Sequence, residues 1–240
     1  MSTLEGKRVV VLGGSSGIGF GVAKAAANEG AKVVIGSSRK KRVDEAVSML
    51  PAGAEGHAID LSDTAAIQAL FGKIGQFDHL VYTAGEALTI GLVDKISDEA
   101  ARKRFDVRFW GAFFSVKYGA PNIRPGGSVV LTSGTAGRRP RQGWSLAASG
   151  CSAIEGLTRG LAVELAPIRV NLVCPGAVVT PLWDSLPEAA REQLFKSAAA
   201  TLPVRHIADA DEVASAYTYL MKQTFSTGEI IVVDGGGVLV

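Results

Sequence analysis

Six short runs of Val, Ile and Leu recur along the chain, and a helix-like stretch separates each from the next. They are RVVVLG (8–13), KVVIG (32–36), HLVYT (79–83), SVVLT (128–132), RVNLV (169–173) and EIIVV (229–233), with a weaker seventh at AEGHA (54–58). Runs this continuously apolar suit parallel strands buried on both faces, not strands with one wet face. Helical patterns fill 18–29, 41–50, 63–74, 98–118, 147–165, 187–199 and 209–221. Asp209 and Glu212 have the spacing of a capping box, which marks a helix start. Strand and helix in alternation imply right-handed βαβ crossovers. The expected fold is therefore α/β, a doubly wound sheet of about seven parallel strands flanked by helices. Ligands of such sheets bind beyond the carboxyl ends of the strands, near the point where strand order reverses.

No Pro/Ser-rich linker or charge block divides the 240 residues, so residues 1–240 read as a single domain. A chain of this length can bury a core without disulfide staples. Its two cysteines, Cys151 and Cys174, form no CxxC pair and are expected as reduced, buried thiols. No metal site is expected. A formal charge of +2 argues against nucleic acid as the main partner. The start, MSTLEGKRVVVLGG, lacks the long apolar region of a signal peptide, and no apolar run reaches the roughly 18 residues of a membrane helix. A cytoplasmic location follows by elimination, with no membrane partner.

The first strand runs directly into GGSSGIG. Gly13 permits a tight turn, Gly17 lets backbone approach a pyrophosphate, and Gly19 lets helix and strand pack closely. Ser15, Ser16 and Ile18 complete this phosphate-binding turn. Glycines alone are weak evidence, but this placement, after a first strand and before a helix, is that of a dinucleotide site. The second strand ends in Gly36-Ser37-Ser38-Arg39, with Arg39 twenty residues beyond Gly19. An NAD-binding chain carries an acid near there for the ribose hydroxyl. Here stand hydroxyls and a guanidinium, followed by Lys40 and Lys41. Ser38 and Arg39 would hold a 2′-phosphate, Arg39 through paired charge-assisted bonds. The cofactor expected is NADP(H). Asp60 and Leu61 after the third strand would meet the adenine, and Thr83, Ala84 and Gly85 after the fourth would let backbone pass the ribose. Pro175, Gly176, Val178 and Thr180 after the sixth would meet the nicotinamide carboxamide.

Together VLGGSSGIG (11–19), DLSD (60–63), TAG (83–85), ELAPIRVNLVCPG (164–176) and VDGGG (233–237) make the chain resemble the short-chain dehydrogenase/reductase family over almost its whole length. That resemblance implies a Rossmann-type sheet, hydride transfer with NAD(P)(H), and assembly as homotetramers or homodimers. It also implies a Tyr acid/base, a Lys four positions later that lowers the Tyr pKa and holds the nicotinamide ribose, a Ser thirteen positions before the Tyr, and an Asn on the preceding long helix. Aligned by the flanking motifs, these positions hold Ala147, Cys151, Gly134 and Arg108. All four are replaced.

The candidate catalytic residues are then Arg108 and Ser133. Arg108 could stabilise a negative oxygen or bind a carboxylate; its alternative is an ion pair with Asp106 or Glu99. Ser133 sits one position early and could face away. Tyr82, Tyr118 and the histidines 57, 79 and 206 read as structural. Arg138, Arg139 and Arg141 fall on the expected pocket rim, at least two of them as a solvated loop. Trp144 and Trp183 are candidate pocket walls, the latter in a substrate lid near 181–203. Two functions fit: an NADP(H)-dependent oxidoreductase with an atypical active site acting on an imine-like or otherwise activated small molecule, or a non-catalytic NADP(H)-binding sensor or oligomer partner.

Overall fold

A computed structural model describes residues 3–184 and 186–240. Seven parallel strands form one sheet in the order β3-β2-β1-β4-β5-β6-β7. They are β1 (Arg8–Leu12), β2 (Lys32–Ser37), β3 (Glu55–Ala58), β4 (Phe77–Tyr82), β5 (Ile123–Thr132), β6 (Arg169–Pro175) and β7 (Ile230–Val233). Val9, Val10, Val11 and Leu12 of β1 are all fully buried, as the continuous apolar run requires. Alternate residues feed two cores. Val10 and Leu12 pack with α3 (Thr64–Ile74), α5 (Ala112–Gly119) and α6 (Ser145–Glu164). Val9 and Val11 pack on the other face with α1 (Gly17–Asn28), α2 (Lys40–Ser48) and α8 (Ala210–Lys222). The capping box at Asp209 and Glu212 is formed and starts α8.

Strand order reverses at β1, which lies between β2 and β4. This places the crevice over the carboxyl ends of β1 and β4.

One expected element is different. The helix anticipated over 98–118 is not continuous: α4 (Asp98–Lys103) gives way to a π-helical turn at Asp106–Gly111 before α5 begins. A π-turn accommodates one residue more than an α-turn and leaves backbone groups without their usual partners, so it persists only where side chains replace them. Here they do. The amides of Val107 and Arg108 both donate to Glu86 Oε1, at 2.5 and 3.0 Å. The Tyr82 hydroxyl donates to the Val107 carbonyl at 2.5 Å. Tyr82 is thus structural, as expected, and its burial pushes its pKa far up.

Candidate active site

A cleft of about 770 Å³ opens over the carboxyl ends of the strands, within the range of small-molecule sites. At its base the glycine turn has the geometry its sequence implies. Gly13 has φ of 87° and Gly17 of 52°, conformations that L side chains rarely adopt. A Cβ at Gly19 would strike the Gly13 carbonyl, so helix and turn can meet only through glycine there. These cradles fit a pyrophosphate at the start of α1.

All of the cofactor-binding residues anticipated from sequence line this one cleft: Gly13, Ser15, Ser16, Gly17, Ile18, Gly19, Ser38, Arg39, Asp60, Leu61, Thr83, Ala84, Gly85, Pro175, Gly176, Val178 and Thr180. The Asp60 carboxylate accepts from the Ser62 amide and hydroxyl, which hold its pKa below the usual range.

The basic run 39–42 divides when α2 begins. Lys40 pairs with Asp44 at 2.7 Å, and Lys41 lies 3.9 Å from Glu45, both on the solvent side. Arg39 caps the helix, and Arg42, three residues on, shares its face and lines the cleft. Arg42 Nη1 is buried without a hydrogen-bond partner. A buried, unpartnered guanidinium donor on a residue that lines the cleft fits a phosphate. The linear sequence concealed Arg42, because helical phase, not charge density, separates it from the lysines.

The other end of the cleft holds Gly134, Ala147 and Cys151, the positions at which the resemblance implied Ser, Tyr and Lys. Ala147 and Cys151 are buried in its wall. A Cβ built on Gly134 would lie 3.4 Å from Cys151 Sγ, so position 134 points to the place where position 151 also points. Ser133 lines the same cleft, but its hydroxyl is fully buried. Its hydroxyl is shut in beside the Cys174 thiol without a well-formed hydrogen bond, and the residue is 4% exposed. Burial pushes the Cys151 thiol up, against the opposing influence of Arg108 and Arg104. Both cysteines are free and buried.

Arg108 takes neither surface partner considered from sequence, and Glu99 pairs instead with Lys103. Its guanidinium enters the cleft so close to Gly85 that a Cβ there would collide with it. Beneath it lies Glu86, which sequence reasoning missed. Glu86 Oε2 accepts from Arg104 Nη1 at 2.9 Å and lies 3.9 Å from Arg108 Nε. Burial, followed by the neighbouring Arg108 charge, lowers the Arg104 pKa. The Nε atoms of both arginines are buried without a hydrogen-bond partner.

At the rim, Arg138 turns to Glu155, as a loop arginine would. Arg139 and Arg141 line the cleft, and Arg139 Nη1 donates to the Gly237 carbonyl at 3.0 Å. Trp144 and Trp183 both line the cleft. The Trp183 indole donates to the Val178 carbonyl at 2.9 Å and meets the Phe195 ring edge-on. Leu194, Ala198 and Leu202, from α7 (Glu188–Thr201) and just beyond it, complete an apolar roof. The histidines lie outside the cleft: His79 is buried against Ser128, and His206 faces Glu212. Tyr118 also lies outside it, stacked on Phe114.

A family model of SDR-like Rossmann domains matches residues 2–240. The chain is a short-chain dehydrogenase/reductase. This member of the family is 34% identical over 257 residues to the short-chain dehydrogenase/reductase fsr5 of Gibberella fujikuroi, covering 100% of this chain and 97% of that one. It is 30% identical to the short-chain dehydrogenase/reductase malC of Malbranchea aurantiaca, covering 98% and 96%. Among solved structures, a small-chain dehydrogenase in complex with NADPH is 33% identical, with a TM-score of 0.86, 98% of this chain and 100% of that chain aligned. The MalC reductase/Diels–Alderase of Malbranchea aurantiaca is 31% identical, with a TM-score of 0.91 over 99% and 98%. These relatives support oxidoreductase function and NAD(P)-type cofactor binding for this dehydrogenase/reductase. Among the described residues, no helix is long and apolar enough to cross a membrane.

Proposed function

We propose that this chain is an NADP(H)-dependent oxidoreductase with an atypical active site, acting on an imine-like or otherwise pre-activated small molecule. One observation carries the reading. Where the family's Tyr and Lys would stand, the cleft presents the Ala147 methyl and a thiol whose proton is held more tightly than usual. Bound NADPH supplies a hydride. A carbonyl that receives it also needs a positioned proton donor, and this wall offers only that tightly held thiol proton. An iminium carbon needs no proton at that step, because the arriving pair of electrons neutralises a charge already present.

The chain's own residues then bind and orient. Ser38, Arg39 and Arg42 hold the 2′-phosphate, the turn from Gly13 to Gly19 the pyrophosphate, and Pro175, Gly176, Val178 and Thr180 the carboxamide. Trp144, Trp183 and the α7 side chains exclude water. Arg108 offers fixed N–H donors to an oxygen of substrate or cofactor, while Ser133, turned toward Cys174, could contribute only after rotating. A homodimer or homotetramer is proposed with this reading. The half-exposed Trp110, stacked on Phe114, offers an apolar surface for it, and sedimentation would report it.

The test is the loss of NADPH absorbance in single turnover with a panel of cyclic imines and matched ketones. Turnover with imines alone is expected. No turnover across both sets would overturn the enzymatic reading. It would leave the second one, a non-catalytic NADP(H)-binding sensor or oligomer partner, which the same bare wall also favours.

A further inference from the structure

The cleft has two unlike ends. Arg39, Arg42 and Asp60 follow β2 and β3 on one side of the reversal at β1. A dinucleotide held there by its adenosine half must lay its other half over β4, β5 and β6. That is where Glu86, Arg104 and Arg108 meet, directly after β4 and beside Gly85.

The charge of this cluster is not balanced. Two guanidiniums face one carboxylate. Arg104 is 3% exposed, so water screens the excess poorly. Each arginine has a buried Nε without a hydrogen-bond partner. The other acids in the cleft wall are Asp60, which follows β3 at the far end, and Asp234, whose two oxygens accept from the amides of Gly236 and Val238 at 2.9 and 2.8 Å. Arg139 and Arg141 at the rim add charge of the same sign.

An oxidised nicotinamide ring is a cation, and the reduced ring is neutral. The rest of the cofactor is the same in both forms. We propose that the Glu86–Arg104–Arg108 cluster makes this cleft select the reduced cofactor and expel the oxidised one, which sets the chain to work as a reductase. The inference rests on the NADP(H) reading above and assigns the direction which that reading leaves open.

The experiment measures the affinity of the full chain for NADPH, by its fluorescence, and for NADP⁺, by competition. The ratio of the two constants is the readout. A contact common to both forms cancels in it, so a merely structural role would not move it. NADPH is expected to bind at least about tenfold more tightly, the size of one poorly screened unit charge. Arg108→Met should narrow the ratio by about tenfold. Glu86→Gln should widen it, because the excess charge rises while the amide oxygen still accepts from Val107 and Arg108. Arg108→Lys keeps the charge and should keep the ratio, even where both affinities fall. Equal binding of the two forms by the wild type, or an unmoved ratio in Arg108→Met and Glu86→Gln, overturns the proposal while leaving the cofactor assignment standing. Binding of neither form by the wild type overturns the cofactor assignment and the proposal with it.

Discussion

Replacing Arg42 with leucine should separate two quantities that usually fall together, affinity and stability. Arg42 Nη1 is buried in the free protein with no partner. Leaving such a donor unsatisfied costs about 1–3 kcal/mol. The leucine side chain removes that cost and keeps most of the aliphatic volume, so the free protein should melt no lower than the wild type. The 2′-phosphate of NADPH, in turn, loses one charge-assisted bond, worth about 1.5–3 kcal/mol. Affinity for NADPH should therefore fall by between about tenfold and a hundredfold. NADH has no 2′-phosphate and should bind as before. Isothermal titration with both cofactors gives the affinities, and a thermal melt without cofactor gives the stability. Lys40→Ala and Lys41→Ala serve as controls, because both lysines face Asp44 and Glu45 on the outer side of α2. Equal losses for NADH and NADPH would refute the reasoning, as would a lysine variant that loses as much as Arg42→Leu.

Three further outcomes follow from the same geometry. Gly19→Ala drives a Cβ into the Gly13 carbonyl; the glycine turn must open, and cofactor binding should fall by more than about tenfold in the same titration. Burial lowers the His79 pKa from 6.5 to about 4. The unfolded chain therefore takes up a proton between pH 6.5 and 4 that the folded chain refuses, so stability should fall as pH drops through that window, by about 3 kcal/mol in all. Urea titrations at several pH values should show this slope in the wild type and lose about one proton's worth of it in His79→Gln. Installing Gly134→Ser, Ala147→Tyr and Cys151→Lys together should destabilise the fold, because the new ammonium would lie beside Arg108 and Arg104; adding Arg108→Asn should recover stability in a thermal melt, and no recovery would contradict the placement of Arg108.

The sheet was legible because its strands are buried on both faces, a demand met only by runs like RVVVL. The cofactor end was legible because glycine and arginine do there what backbone geometry and phosphate charge require of any chain. Glu86 was not. It follows Gly85 in a loop with no pattern to mark it, and its role depends on a π-turn in a segment whose composition also suits an α-helix. One extra residue in a turn barely alters apolar spacing over so short a stretch. The facing of Ser133 was equally hidden, since neighbouring residues at a strand end point to opposite sides, and only the positions of Cys151 and Cys174 show which is which. Arg139 and Arg141 both reach the cleft, more of the 138–141 loop than its solvated composition suggested.

The π-turn at Asp106–Gly111 also has a bearing on how such a site can arise. The turn without an acid at position 86 would bury two bare amides, and the acid without the turn would lose both amide donors to its Oε1. Each change alone is costly, and only the pair is tolerable.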